Sequence, residues 1–374
     1  MDLSVIIPVF NGEATVGRAI ESALAQEFDG EFDVVVVNDG STDTTAKVLA
    51  SYGDRIRVVT QENRGRSAAR NIGARNSTGE YLAFLDADDE WCRDKLAKTI
   101  SALERETDCG LAYTDAVLVN SLGTVVAHSC IPAALLRAPT LEDLLRECWS
   151  IPTSTVVMRR SVFDHCGGFN EEFGRRWGYE DHFIWLRARE IVPFVFLPHT
   201  LALCRVSNCL EVFDKRRSAL RSTPLSEDSP NPWRFISSEM VFERLVRERY
   251  GSRASALLRS VRADRARVLH AAGLAAISKG DGKLARRLYA ASLKLQPWQI
   301  RPWIRLAWAL APTSARRRVA LVLPRRIARS LEGPPFDPYS ELDGPRGFEL
   351  NERPCGPLMT TTHPPYHRAS NRAQ

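Results

Sequence analysis

Phe32-Asp-Val-Val-Val-Val-Asn38 is the stretch on which the fold turns. Four consecutive valines cannot alternate between a dry and a wet face, so both faces of this strand must be covered, as they are in parallel strands sandwiched between helices. The sequence around it repeats the theme. Strand-like runs at 3–9, 56–60 and 81–86 alternate with stretches at 15–26, 42–52 and 66–76 that place apolar or alanine residues at helical spacing. Alternating strands and helices of these lengths build βαβ units. Gly12, Gly40, Gly65 and Gly79 punctuate the turns between them. The expected architecture is α/β, Rossmann-like, with a mostly parallel central sheet.

Outward from this core the pattern becomes mixed. Helical spacing recurs at 95–106 and 141–147, and strand-like runs at 111–119, 155–159 and 194–197. At 374 residues the chain exceeds what one hydrophobic core usually organises. The first domain is placed at 1–223 and a Pro-, Ser- and Asp-rich linker at 224–233. A basic helical domain is expected over 234–331 and a disordered Pro-rich tail over 332–374. Within the helical domain Leu269, Gly273, Ala285, Tyr289 and Pro297 match one tetratricopeptide unit, or equally a plain helical hairpin turning at 279–282.

Composition narrows the class. Hydrophobic residues make up 44% and charged residues 26%, the range of a globular rather than a disordered or fibrous protein. No run approaches eighteen apolar residues, and the chain opens directly into a strand without a basic leader, so neither a membrane span nor export is expected. Eight cysteines without C-x-x-C spacing argue against a zinc site or a disulfide framework and for a reducing, cytoplasmic setting. The charge is unevenly spread. Residues 1–230 carry 25 Lys and Arg against 34 Asp and Glu, a net −9, whereas residues 231–374 carry 26 against 11, a net +15. The rear half is either a solvated basic face or a surface for an anionic partner, the inner membrane leaflet being the candidate. No nucleic-acid partner is expected.

The chemistry gathers at strand ends. Asp86-Ala87-Asp88 follows Tyr-Leu-Ala-Phe-Leu at the carboxyl end of a buried strand, where open α/β sheets bind ligands. Two carboxylates so spaced suit a divalent cation, Mn2+ or Mg2+, shared with diphosphate oxygens. Polar groups close the other strands as well: Pro8, Val9, Asn11 and Glu13 after the first, Asp39-Gly40-Ser41 after the second, and Asn63, Gly65 and Arg70 after the third. Asp39 could accept a base N–H, the loop 63–67 could bring backbone close to a nucleotide, and Arg70 could reach base or phosphate. Asp39 and Ser41 could instead cap the helix starting near Thr42, and Arg70 could pair with Glu80.

Ser4-Val-Ile-Ile-Pro-Val-Phe-Asn11, Val37-Asn-Asp-Gly-Ser-Thr-Asp43, Asn63-Arg-Gly-Arg-Ser-Ala-Ala-Arg-Asn-Ile-Gly73 and Gly79-Glu-Tyr-Leu-Ala-Phe-Leu-Asp-Ala-Asp-Asp-Glu-Trp91 resemble, in order and spacing, successive motifs of the family 2 glycosyltransferases. The resemblance covers residues 3 to about 210. It implies a GT-A fold, base recognition by Asp39, and contacts from Asp86 and Asp88 to ribose, metal and diphosphate. The reaction it implies moves a sugar from a nucleotide donor, most simply a UDP-sugar, to a glycan or glycolipid acceptor with inversion at the anomeric carbon. It also implies an acidic base in a Glu-Asp pair opening a helix, and Gly178-Tyr-Glu-Asp-His-Phe-Ile-Trp-Leu-Arg187 fits. Asp181 is the candidate base, with Glu180 beside it as a like charge that would raise its pKa; both could instead simply favour a helix N-terminus.

Two departures qualify the match. Relatives often carry Arg followed by His near the end of the catalytic domain. Here Leu203-Cys-Arg-Val-Ser-Asn208 supplies Arg205 without the His, which removes one contact to metal or diphosphate. The Q-x-x-R-W motif of processive synthases is absent, so addition of one sugar, or very few, is expected. The competing readings are a sugar-nucleotide pyrophosphorylase, which needs a Gly-rich, Arg-containing loop that Phe10-Asn-Gly-Glu-Ala-Thr15 does not provide, and a non-catalytic scaffold.

Overall fold

The computed structural model describes residues 2–120, 122–146, 151–174, 179–205, 232–256 and 282–295, together with positions 258, 259, 266, 269, 270 and 273. Its elements run β1 (Leu3–Val9), α1 (Val16–Leu24), β2 (Phe32–Asn38), α2 (Thr45–Ala50), β3 (Arg57–Thr60), α3 (Arg66–Arg75), β4 (Tyr81–Phe84), β5 (Glu90–Trp91) and α4 (Lys95–Arg105). They continue through β6 (Leu111–Val119), β7 (Val125–Ala127), α5 (Leu141–Arg146), β8 (Val156–Arg159), α6 (Arg160–His165), α7 (Glu180–Arg189) and β9 (Phe194–Arg205). Two further helices follow, α8 (Pro232–Tyr250) and α9 (Gly282–Leu295).

One sheet, ordered β3-β2-β1-β4-β8-β6-β9-β5 with β7 hydrogen-bonded to β6, carries the architecture. The valine run explains its covering. Val35 and Val37 point with Ile6, Leu82 and Phe84 into one core, while Val34 and Val36 point with Val5, Ile7 and Ala83 into the other. Every one of these side chains is at most 2% exposed, and burying each contributes roughly 1–3 kcal/mol. Helix α3 approaches β1 so closely that a Cβ on Gly73 would lie 2.5 Å from Ile6 Cγ2.

The sheet is parallel from β3 through β4, as expected. Beyond β4 it becomes mixed, because β8 runs antiparallel to both β4 and β6, and β9 runs parallel to β6. The reason lies in where β8 starts. The turn Thr153–Thr155 sits against the carboxyl end of β4, so the strand that leaves it must run back along β4.

Helix α8 begins at Pro232, inside the stretch expected as a linker, with proline in the helix's first turn, where its missing N–H costs nothing. Phe242 and Val246 of α8 are fully buried in the same core as Tyr179, Phe183 and Trp185 of the α7 region. Farther on, a Cβ on Gly273 would lie 2.6 Å from the Tyr289 ring, and Ser292 Oγ donates to the Ala266 carbonyl at 2.7 Å. Leu269, Ala285 and Tyr289 are buried beside them. Pro297, residues 224–231 and the tail at 332–374 lie outside the described residues. Among the described residues no helix is long and apolar enough to cross a membrane. Among the described residues free thiols are found at Cys109, Cys166 and Cys204, and Cys92 is disulfide-bonded, which corrects at this one cysteine the expectation, from scattered spacing, of no disulfide framework.

Candidate active site

The loops after β1 and β2 are laced to each other. Asn11, at φ 51°, accepts the Thr42 N–H at 2.8 Å on its side-chain oxygen, and its own N–H donates to Ser41 Oγ at 3.0 Å. The Glu13 carboxylate accepts the Thr44 N–H at 2.8 Å, and the Gly12 N–H donates to Thr45 Oγ1 at 2.9 Å. Asn11 and Glu13 thus spend side-chain acceptors on holding the loops together. Pro8 and Val9 lie buried at the end of β1, where the Val9 carbonyl accepts the Asp39 N–H at 2.8 Å.

Asp39 does not cap α2. Its Oδ1 accepts Gln61 Nε2 at 2.6 Å and the Arg64 N–H at 2.8 Å, while Oδ2 accepts the Gly65 N–H at 2.8 Å. One carboxylate therefore fixes the loop that leads into α3. Gly65 ends that loop at φ 90°, a conformation strained for any residue with a Cβ, and starts α3.

Arg70 projects from α3 into the protein. It is 1% exposed and does not reach Glu80, which sits 3.9 Å from Arg159 instead. Its Nη2 donates to Asp86 Oδ1 at 2.5 Å and its Nη1 to Glu180 Oε1 at 3.3 Å, with the guanidinium 5.1 Å from the centre of the Phe169 ring. The two acidic neighbours hold Arg70 firmly protonated despite its burial. A single cation thus joins the end of β4 to the start of α7. Arg66 Nε lies 3.5 Å from the same Glu180 oxygen, and Glu180 Oε2 is buried without a hydrogen-bond partner.

The Asp86-Ala87-Asp88 turn is braced by residues the sequence did not single out. Ser154 Oγ accepts the Asp86 N–H at 3.0 Å and donates to Asp89 Oδ2 at 2.5 Å, and Trp91 Nε1 donates to the Ser154 carbonyl at 2.7 Å. Asp89 Oδ1 accepts the Arg205 N–H at 2.7 Å. The Arg205 side chain donates to the Asp88 carbonyl at 3.3 Å and the Asn120 carbonyl at 3.0 Å, and lies 3.6 Å from Glu90. Arg205 is thus a clamp on the back of the turn. Ala87 is half-buried between the two carboxylates, and Asp88 is the most exposed of the three, with the Asp86 side chain 32% exposed.

Asp181 stands in the first turn of α7, accepting Thr153 Oγ1 at 3.3 Å and the His182 N–H at 2.7 Å. Desolvation, and then the Glu180 charge beside it, push its carboxyl up to about 7, against the pull of Arg70. The recess around Asp88 and the neighbouring Asp86 push that carboxyl up to about 6. Burial, with Asp88 and Asp86 nearby, raises Asp89 well above the usual range. The site brings Asp86, Glu180 and Asp181 together around one arginine, with Asp88 next to Asp86.

A metal can be considered on this donor set. Asp86 has one oxygen taken by Arg70, and Asp88 is open; two hard carboxylates suit Mg2+ or Mn2+ provided that ligand phosphate oxygens complete the shell. Among the described residues no group of three or more His, Cys, Asp or Glu side chains could hold a metal ion by itself. Two carboxylates of this kind would hold such a cation only together with phosphate oxygens.

Comparison with known proteins gives this site a context. The family model described as Glycosyl transferase family 2 matches residues 4–166. An uncharacterized glycosyltransferase of Rickettsia conorii is 29% identical, over 66% of this chain and 39% of its own. The Escherichia coli UDP-Glc:alpha-D-GlcNAc-diphosphoundecaprenol beta-1,3-glucosyltransferase WfgD is 31% identical, over 49% of this chain and 68% of its own. The crystal structure of S. aureus TarS 1-349 in complex with UDP is similar at 20% identity and a TM-score of 0.47, covering 79% of this chain and 89% of that one. The chain spans between about a fifth and three fifths of the length of the Rickettsia relatives it matches.

Proposed function

This chain belongs to glycosyl transferase family 2, and from that premise we propose that it transfers a sugar from a UDP-sugar to an acceptor hydroxyl, with inversion, in the synthesis of a surface polysaccharide or glycolipid. The observation that carries the reading is the strut Asp86–Arg70–Glu180, at 2.5 and 3.3 Å, with Asp181 next to it. A strand-end carboxylate pair suited to a diphosphate and a carboxyl poised near neutrality belong to one electrostatic unit.

In the proposed reaction the acceptor oxygen forms its bond to C1 of the sugar while its proton passes to the Asp181 carboxylate. The C1–O bond to the diphosphate breaks with its electron pair going to the departing UDP. Asp39 keeps the 61–65 loop ordered for the base. Asp88 and the second oxygen of Asp86 would hold a Mg2+ or Mn2+ ion, whose chemistry is to neutralise charge on the diphosphate. Support for a lipid-linked acceptor comes from the E. coli relative, whose name gives UDP-Glc as donor and a GlcNAc-diphosphoundecaprenol as acceptor. The basic charge of residues 231–374 suits such a reaction at an anionic membrane surface.

The test is a transfer assay with a panel of UDP-sugars, Mn2+ and a GlcNAc-diphospho-lipid, reading both UDP release and the new glycoside. Asp181→Asn should abolish transfer while UDP affinity, read by calorimetry, is kept. A full-length protein that neither binds UDP nor turns over any nucleotide sugar would sink the reading.

A further inference from the structure

Tyr179 immediately precedes the Glu180-Asp181 pair and holds φ 71°. A bulky residue with a Cβ takes this left-handed conformation only where its surroundings impose it. What lies against it comes from beyond residue 166, where the family match ends. The Phe242 ring of α8 stacks on the Tyr179 ring with centroids 4.7 Å apart and planes inclined by 28°. The same ring lies 5.3 Å from His182 and, edge-on, 6.5 Å from Phe183. One fully buried side chain of α8 therefore touches residues on both sides of Asp181.

Two ion pairs fasten the helix around this contact. Arg244 pairs with Glu172, upstream of α7, and Arg249 Nη2 lies 2.5 Å from Glu190, just past its last turn. The first pair is exposed on both sides and so contributes little by itself. The aromatic stack, desolvated and specific in geometry, has the greater leverage on the turn. On the far side of that turn the Phe183 N–H donates to the Tyr179 carbonyl at 2.9 Å, so a Tyr179 that relaxed to φ < 0 would break the first hydrogen bond of α7 and re-aim Asp181.

We infer that Phe242 is a positioning residue, holding the left-handed turn at Tyr179 that aims Asp181 into the site. Helix α8 is then part of the catalytic apparatus and not only a cover for the core. The inference rests on the assignment of Asp181 as base. A displacement of the base by about 1 Å is enough to cost on the order of 100-fold in rate.

The experiment is a double-mutant cycle in the full chain, paired with hydrogen exchange. Phe242→Ala should lower kcat, referred to the concentration of folded protein, by about 100-fold with donor KM unchanged; referring the rate to folded protein removes the fall in apparent kcat that loss of folded chain alone would give. Tyr179→Gly accepts the turn without strain and offers no ring to stack on, so adding Phe242→Ala to it should cost far less than in the parent. Independent losses that simply add would overturn the inference. Phe242→Leu, which stays apolar and buried but cannot stack, stands in if the alanine variant does not fold, and should show the same split. Exchange reads the geometry without any activity. Amides of 179–189 should open faster in the variant while those of β1 and β4 stay protected, and unchanged protection at 179–189 would refute the brace. Should Asp181→Asn transfer sugar normally, the base assignment falls, and the exchange result still decides whether Phe242 holds the turn.

Discussion

Replacing Arg70 by Met measures the central strut directly. Met keeps an unbranched apolar stem, but it is shorter and loses the guanidinium that Asp86 and Glu180 share and that lies over Phe169. The two acids respond differently. Asp86 is 32% exposed in its side chain and can be rehydrated, whereas Glu180 is 3% exposed and, among the described residues, keeps Arg66, at 3.5 Å and 43% exposed, as a cationic neighbour. Stranding one member of a buried pair costs about 3–5 kcal/mol, and the residual Arg66 contact argues for the lower end. The expected loss is thus about 3 kcal/mol, read by urea unfolding near pH 7.5 with unchanged m. Adding Glu180→Gln removes the stranded charge, so the double variant should recover most of that loss. If Arg70→Met costs under about 1 kcal/mol, or if the two losses add, the strut does not hold the two halves of the site together. Arg70→Lys should not rescue, because an ammonium cannot span two carboxylates with a fixed fork.

Three further outcomes follow from the same geometry. Because the base works in its charged form, kcat should fall about tenfold per pH unit below an apparent pKa near 7, and Glu180→Gln, which removes a raising charge, should move that inflection to lower pH; a profile flat from pH 5 to 8 would count against Asp181. Asp88→Ala should weaken Mn2+-dependent UDP binding in calorimetry, and EDTA should reduce the parent to the same affinity, whereas equal affinities for parent and variant with Mn2+ would dismiss Asp88 as a ligand. Ser154→Ala strands the Asp86 N–H and takes a donor from buried Asp89, so unfolding free energy should drop by about 1–3 kcal/mol, and a neutral substitution would mean that Ser154 does not brace the turn.

Much of this could be read from sequence because it is local. The bounds of β1, β2 and β6 follow from continuous apolar runs, and the polar residues that end β1, β2 and β4 are fixed as soon as those strands lie side by side. What could not be read depends on partners distant in the chain. Ser154 is an unremarkable hydroxyl until β8 is known to lie beside β4, and only that pairing brings it under Asp86. Arg70 has a plausible surface partner in Glu80 and a real one in Glu180, a difference of 110 positions in the chain that no spacing rule reaches. The end of β9 was hidden for a more ordinary reason. Pro198 and His199 are exposed and fall at a register shift against β6, so the apolar pattern breaks although the strand continues to Arg205.

The charges of the site raise a physical problem whose solution separates the roles of its acids. Asp86, Asp88, Asp89, Glu180 and Asp181 are neighbouring charges at the site proposed to receive an anionic diphosphate, within a part of the chain that is net negative. Arg70 is committed internally, which leaves the other carboxyls to relieve their repulsion by binding protons. Burial first, and that repulsion after it, raise Asp88, Asp89 and Asp181. For Asp181 the sign is definite. Its folded-state pKa lies above its unfolded value, so the native chain holds a proton between about pH 4 and 7 that the unfolded chain has released, and this contribution to stability is lost as pH rises through 7. The same repulsion serves two purposes. At Asp88, open to solvent, it favours a divalent cation over a proton once a diphosphate supplies further oxygens. At Asp181, less exposed than Asp88 and beside Glu180, it yields a carboxyl that accepts a proton near neutral pH and can give it up again. On the proposed reading one crowded set of acids is divided by exposure into a cation holder and a base, with Arg70 placed between Asp86 and Glu180.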